Sequence, residues 1–281
     1  MAISFARIES SRKRALRFLV DSQREDGTFP QMIWYLNRAN HSNDRLFSTS
    51  CIVLAIGEIL PPSNLEKALK FVQQSRDSEG LWHFDSGKLL PADADDTACA
   101  AAVLLRFGSW EERRVLEPLK AFVRRDGSIA TWLGSGPLGN EMVGDIVVAA
   151  NVIYAFALVD KNRAREILCQ WISSKSQLSL KYYLCPETAI YAWTRALSVL
   201  SLGPPACSVK SYDQCDSPLR CALAISAGVN REKIMLLLLD SQNVKGSWSA
   251  EPWFSSRDAL FGSESLTTAI ALEALNHYRQ E

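Results

Sequence analysis

The residues of this chain best placed to do chemistry are three acids within four positions, Asp93-Ala94-Asp95-Asp96. Carboxyls crowded this closely cannot all ionise cheaply. Neighbouring negative charge and apolar burial both raise a carboxyl pKa, so such a cluster titrates as a unit and can hold a proton at neutral pH. Helix capping accounts for part of it. Asp93 is spaced as an N-cap with Asp96 at N3, and acids in a first turn favour the positive end of the helix dipole. Asp95 is the acid left over, because a third one in the same turn adds repulsion.

Other constellations are thinner. After Asp95-Asp96 the chain reads Thr97-Ala98-Cys99, so a D-D-x-x-D diphosphate–metal motif is absent. Asp145, Glu187 and Asp258 offer carboxylates for a glycosidase-like pair across a cleft. His41 and His83 lie near turns. No nucleophile elbow, Walker loop or glycine-rich nucleotide loop is present. The 31 basic and 31 acidic residues cancel, which argues against a nucleic-acid partner and allows at most peripheral membrane contact. The seven cysteines show no C-x-x-C spacing, and Met1 to Arg14 has no secretory-type apolar core, so a reduced, cytoplasmic protein is expected. The nearly uncharged stretch from Ile146 to Val159 lies between Asp145 and Asp160, too short for a membrane span.

The elements that would position the acids form a repeat. Ala15-Leu16-Arg17-Phe18-Leu19, running on to Asp26-Gly27-Thr28-Phe29, aligns without a gap on Ala68-Leu69-Lys70-Phe71-Val72, running on to Glu79-Gly80-Leu81-Trp82. Leu239-Asp240-Ser241-Gln242 to Gly246-Ser247-Trp248 is a third copy, and a shortened one surrounds Asp126-Gly127. Each unit is an amphipathic helix, a polar stop, a glycine turn and an aromatic or apolar residue. A second class of helix, poor in charge, is expected at Ser48–Leu60, Asp93–Phe107, Asp145–Val159, Glu187–Leu202, Ser217–Val229 and Ser265–Tyr278. One half-exposed class alternating with one apolar class predicts two concentric layers, an all-α α/α barrel (toroid), with an open solenoid as the alternative. The whole chain, 1–281, is read as one domain. The fifth outer helix is hard to find between Gly203 and Gln214, and no convincing alternating strand pattern is seen.

The turns Gln23…Gly27-Thr28-Phe29 and Gln242…Gly246-Ser247-Trp248 resemble the QW repeat of squalene–hopene and oxidosqualene cyclases, and Asp93-Ala94-Asp95-Asp96-Thr97-Ala98 is similar to the D-x-D-D-T-A motif of class II terpene cyclases. The resemblance is to one barrel only, the β-domain of that family, in a minimal form that includes the meroterpenoid cyclases. It implies an isomerase or lyase that protonates a terminal alkene or epoxide of a polyprenyl chain and cyclises it through carbocations. Asp95 would be the donor, Asp93 and Asp96 would orient it, and the repeats would be structural. In squalene–hopene cyclases a His on the next inner helix contacts the donor; that helix here has no His, and Asn151 is the nearest polar candidate.

The substrate would be a small hydrophobic polyprenyl compound, C15 to C20 or a prenylated aromatic. No cofactor is expected, with Mg2+ possible for a diphosphate. Aromatic faces stabilise cations by about 0.5–2 kcal/mol each. Candidate wall residues are Trp34, Tyr35, Phe84, Trp132, Tyr191, Trp193, Trp253, Phe254 and Phe261, whereas Trp82 and Trp248 are read as packing residues of the repeat. Two alternatives accompany this reading. One is a non-catalytic isoprenoid- or lipid-binding barrel. The other resembles the protein prenyltransferase β-subunit, whose Asp-x-Cys zinc half-site Asp213-Gln214-Cys215 imitates, with only His277 as a further ligand on the last helix.

Overall fold

A computed structural model describes residues 3–35, 38–108, 116–134, 144–174, 178–205, 215–229, 232–256 and 259–278. Six apolar helices form a closed inner ring: α2 (Leu46–Ile56), α4 (Ala94–Phe107), α5 (Ile146–Ala157), α7 (Pro186–Val199), α8 (Pro218–Ser226) and α10 (Glu264–His277). Each packs on the next in chain order, and α10 returns to α2, so the barrel closes rather than spiralling open. The expected inner set is thus present, with α2 beginning two residues before Ser48. These helices are buried nearly all round: in α5 every residue from Val147 to Ala157 is inaccessible.

The outer helices α1 (Phe5–Ser22), α3 (Pro62–Gln74), α6 (Lys161–Ser173) and α9 (Glu232–Asp240) bury one stripe each. In α1 that stripe is Ile8, Ser11, Ala15 and Leu19, at helical spacing. Among the described residues the shortened repeat follows a 3-10 turn, Pro118–Phe122. Most of the stretch expected to hold a fifth outer helix, residues 206–214, lies outside the described residues, as do Asp213 and Asp258.

The repeat turns show why the glycines and glutamines recur. Gln23 Nε2 donates to Gly27 O (3.0 Å) in its own turn and to Asn64 O (2.9 Å) on the neighbouring outer helix. Gln242 Nε2 does the same to Gly246 O (2.8 Å) and Ser11 O (3.0 Å), tying α9 to α1. The turn aromatics are anchored inward by a threonine one inner helix away: the backbone N–H groups of Phe29, Trp82 and Trp248 donate to Thr49, Thr97 and Thr268 Oγ1. Gly27 has φ +87°, and a Cβ there would lie 2.2 Å from Lys67 O. Gly27→Ala therefore combines left-handed strain with a backbone clash, and is expected to lower stability by about 2 kcal/mol or more. Thermal unfolding of the variant checks it.

The expectation of no strands is corrected. β1 (Gln31–Tyr35), β2 (Arg38–Ser42), β5 (Pro252–Ser255) and β6 (Leu260–Gly262) make a four-stranded antiparallel sheet ordered β2-β1-β6-β5. A two-residue parallel pair, β3 (Gly144–Asp145) and β4 (Leu178–Ser179), precedes α5 and α7. The strands are too short for a visible alternation, and β1 pairs with a strand more than 200 residues away. The sheet stands at the end of the barrel where the inner helices begin. No described helix is long and apolar enough to cross a membrane.

Candidate active site

Asp93 ends an extended segment bridged to Trp132, and its carboxylate Oδ1 accepts the backbone N–H groups of Asp95 (3.0 Å) and Asp96 (2.8 Å) as the N-cap of α4. The cap turns the next two side chains to different partners. Asp96 faces back onto Asp93, and the two share a hydrogen bond; burial and the facing charges of Asp93 and Asp95 push the Asp96 carboxyl well above the usual range. Asp93 is raised less, to about 6, because burial is offset by the N–H groups and the Asp96 hydroxyl that it accepts. Burial and mutual repulsion therefore favour a proton held by the pair. Asp96 Oδ1 and Asp93 Oδ2 have no further hydrogen-bond partner.

Asp95 points the other way. Its Oδ1 accepts from Asn151 Nδ2 at 2.6 Å, and its Oδ2 is hydrogen-bonded by the Tyr183 hydroxyl. Burial raises this carboxyl to about 7, and the Asp93 and Asp145 charges add to the rise, while Asn151 and Tyr183 hold it down. The result is an acid about half protonated at neutral pH whose conjugate base already has two donors waiting for it.

Tyr183 was not singled out in the sequence, yet its placement is explicable. Asp145 caps α5 through Val147 N (2.7 Å) and Val148 N (3.3 Å), and its other oxygen accepts Lys181 N (2.7 Å) and Tyr182 N (3.0 Å). One buried carboxylate thus fixes both the start of α5, which carries Asn151, and the segment that presents Tyr183. Tyr183→Phe removes a hydrogen bond to a charged group, worth about 1.5–3 kcal/mol, and is expected to cut kcat about 10- to 100-fold in any reaction that uses Asp95 as acid. Steady-state kinetics with KM measured separately checks it.

Asp93, Asp95 and Asp96 lie at the floor of a cavity of about 740 Å3 at the N-terminal ends of the inner helices. Five of the expected wall residues line it: Tyr35, Phe84, Trp132, Phe254 and Phe261. Phe254 and Phe261 stack at 5.4 Å, and Phe84 meets Phe261 edge-on at 5.0 Å. Trp132 Nε1 donates to the Tyr182 hydroxyl at 2.9 Å. Phe47, Tyr182, Tyr183 and Lys181 line the cavity without having been picked out.

Four expected wall residues lie elsewhere. Trp34 alternates with Tyr35 along β1 and so points to the other face of the sheet. Tyr191 is turned down the barrel to donate to Glu273 at 2.7 Å. Trp193 packs on Trp171 (4.9 Å) and donates to Ile146 O. Trp253 sits behind Phe47 and Tyr183, with its Nε1 donating to Thr188. Aromatic identity marked these positions; the rotation of each helix or strand, which identity does not encode, decided which faced the cavity.

The carboxylates considered for a glycosidase pair are committed to structure. Asp145 accepts four backbone N–H groups, and Glu187 is paired with Arg220 (2.9 Å). Among the described residues no group of three or more His, Cys, Asp or Glu is arranged to hold a metal ion. Cys215 instead lies against Arg220 O and Cys221, and His277 is exposed at the far end of α10. His83 ties its loop to Asp77 (2.9 Å) and Leu90 O (3.1 Å), and His41 is exposed on β2.

No family model and no curated protein matches the chain. Among solved structures it is similar to the type II terpene cyclase MstE from Scytonema in complex with geranylgeranyl dihydroxybenzoate as substrate, with TM-score 0.70, 15% identity and 97% of each chain covered. The fold is that of MstE. MstE is also known in complex with merosterolic acid A as product (TM-score 0.68, 16% identity, 97% of each chain). The same barrel is shared more distantly with a novel alpha-amylase from Clostridium perfringens, at TM-score 0.64, 12% identity and coverage of 96% of this chain and 98% of that one. The fold alone therefore accommodates both cyclase and amylase chemistry, and the residues lining this chain's own cavity have to decide between them.

Proposed function

We propose that this protein is a class II terpene cyclase, acting on a polyprenyl chain of C15 to C20, free or attached to an aromatic head. The observation that carries the reading is a buried carboxyl poised near neutrality, Asp95, at the floor of an aromatic cavity. The proton on Asp95 passes to the terminal carbon of an alkene, whose π electrons form the new C–H bond. A tertiary cation remains, with a carboxylate that Asn151 and Tyr183 receive. An epoxide would take the proton on oxygen and open to the same kind of cation. Further alkenes then attack in turn, each ring closure moving the positive charge along the chain, until a proton is lost and the product is an isomer of the substrate.

The rings of Phe84, Phe254, Phe261 and Trp132 line the cavity, and an aromatic face turned to the charge stabilises it without trapping it. A pair of carboxylates spaced for glycoside hydrolysis is not supported, since Asp145 and Glu187 are bound up in capping and an ion pair. Incubation of the purified protein with farnesyl and geranylgeranyl compounds, as alcohols, diphosphates and prenylated aromatics, tests the proposal. Cyclic isomers that depend on Asp95 support it. Binding of these compounds without any Asp95-dependent ring formation would leave a polyprenyl-binding barrel instead.

A further inference from the structure

The inner helices are nearly free of charge, which makes Arg195 in the middle of α7 conspicuous. Its guanidinium reaches into the barrel below the acids. Nη2 donates to Asn151 Oδ1 at 2.6 Å, and the group lies over Tyr154 (4.6 Å) and Tyr191 (5.5 Å). Nε is buried with no hydrogen-bond partner. The cation is thus held by two aromatic faces and one amide oxygen, not by a carboxylate in direct contact. Such a costly placement calls for a reason.

The reason lies in the logic of donors. An asparagine amide can present either its oxygen or its NH2 group to a neighbour, and its two ends are nearly the same shape. A guanidinium can only donate. The end of Asn151 that meets Arg195 must therefore be the oxygen, and the end that meets Asp95 must be the NH2 group. Asp95 Oδ1 is then an obligate acceptor and cannot carry the proton. The proton is confined to Oδ2, beside the Tyr183 hydroxyl, which can rotate to accept from the acid or donate to its conjugate base.

We propose that Arg195 is the positioning residue of the acid: by fixing the Asn151 amide it confines the transferable proton to Asp95 Oδ2, and by its charge it strengthens Asp95 as an acid. This rests on the reading of Asp95 as proton donor. Arg195 occupies the role of a charged partner behind the acid while leaving a neutral amide in contact with it, so no second titrating group touches Asp95 from α5.

Asp93 and Asp96 on α4 and Asp145 at the start of α5 oppose ionisation of Asp95. Cys99 on α4 and Cys51 on α2 are buried beside it, and Tyr183 stands before α7; the hydrogen bond with Cys51 and then burial push Cys99 up, and burial pushes Tyr183 up, so both stay neutral. Around Arg195 are Tyr154, Tyr191 and, through Tyr191, Glu273 on α10, which burial raises to about 7. Glu273 lies on the far side of Arg195 and also faces Arg106, so its ionisation would draw on both cations. Arg195 is the cation that stands between the acid cluster on α4 and Glu273.

Titration of the carboxyls by 13C NMR, with the Asp95 signal identified by its loss in Asp95→Asn, tests this without any substrate. In the unaltered protein Asp95 is expected to titrate at about 7. In Arg195→Met its midpoint should rise by about one pH unit, as loss of a nearby opposite charge requires. Arg195→Lys, which keeps a donor-only cation, should restore most of the difference. Asn151→Leu should raise the midpoint similarly, and Arg195→Gln, which removes the charge and the donor-only constraint but keeps a polar side chain, should raise it too and carries the test if Arg195→Met does not fold. In turnover, Arg195→Met should lower kcat about tenfold with KM little changed, while the alkaline limb of the pH–rate profile moves upward.

A structural role alone would lower yield or melting temperature and leave the Asp95 midpoint in place; that result overturns the proposal. So would fully additive effects of Arg195→Met and Asn151→Leu on the midpoint, since part of the Arg195 effect must pass through the Asn151 amide. If instead the midpoints move as expected but no substrate is cyclised, the electrostatic linkage stands and the cyclase reading falls.

Discussion

Asp95→Asn is expected to abolish ring formation, by at least about a thousandfold, in a protein that still folds and still binds its polyprenyl substrate. The amide cannot give up a proton, so the initiating step is lost outright. The substitution is otherwise mild. An amide at this position can turn its oxygen to Asn151 Nδ2 and its NH2 group to the Tyr183 hydroxyl, so both existing contacts find a partner. The cavity lining keeps its shape, because Asp93 rather than Asp95 caps α4. Product analysis by mass spectrometry, beside binding of the substrate followed by tryptophan fluorescence, separates the two expectations. Retained cyclisation would remove Asp95 from the mechanism.

The second large effect is on stability against pH. Asp93, Asp95 and Glu273 have carboxyls raised by burial to about 6, 7 and 7, and Asp96 is raised well above the usual range. A folded-state pKa above the unfolded value means that the folded protein holds the proton more tightly. The stabilisation is therefore complete below about pH 4 for these groups and is lost as pH rises through 6 to 7. For Asp95, moving from 3.8 to about 7 corresponds to up to about 4 kcal/mol at about 1.4 kcal/mol per pH unit. The melting temperature is expected to fall steadily between pH 5 and pH 8, a range where ordinary carboxylates no longer titrate. Asp95→Asn should flatten part of that fall: it should melt several degrees higher than the unaltered protein at pH 8, with little difference at pH 4.5. Calorimetry at the two pH values checks it, and parallel curves for the two proteins would mean that Asp95 titrates normally. The acid that drives the proposed reaction is thus a liability to the fold once it ionises.

Much of this was legible in the chain. The inner helices announce themselves by uninterrupted apolar runs, and the outer ones by the repeated glycine turn, because each reflects a local rule of burial or backbone sterics. Asp93 as a cap was readable for the same reason. Asn151 was reachable only through the family resemblance, as the polar residue in Ala149-Ala150-Asn151-Val152 on the helix where squalene–hopene cyclases carry a His. What escaped was non-local. The sheet pairs Gln31–Tyr35 with Leu260–Gly262, and no periodicity within five residues announces a partner at the other end of the chain. Trp193 and Trp253 were indistinguishable by type from Trp132 and Phe254, since the direction of a ring depends on how the whole element is rotated. Arg195 and Glu273 did leave a signal, a charge inside an otherwise apolar inner helix, but helix apolarity was read for fold alone and that exception went unused.

The capping of the inner helices has one more consequence. The inner helices α2, α4 and α5 aim their N-termini at the cavity, which Phe47, Asp95 and Val148 line. Each brings a partial positive charge, and together they would make the chamber hostile to an electron-poor intermediate. The acids at these ends counter that. Asp93 and Asp145 are buried caps of α4 and α5. Residues that look purely architectural therefore also set the sign of the potential at the barrel mouth, and the proposed carbocation would form where that potential has been brought down.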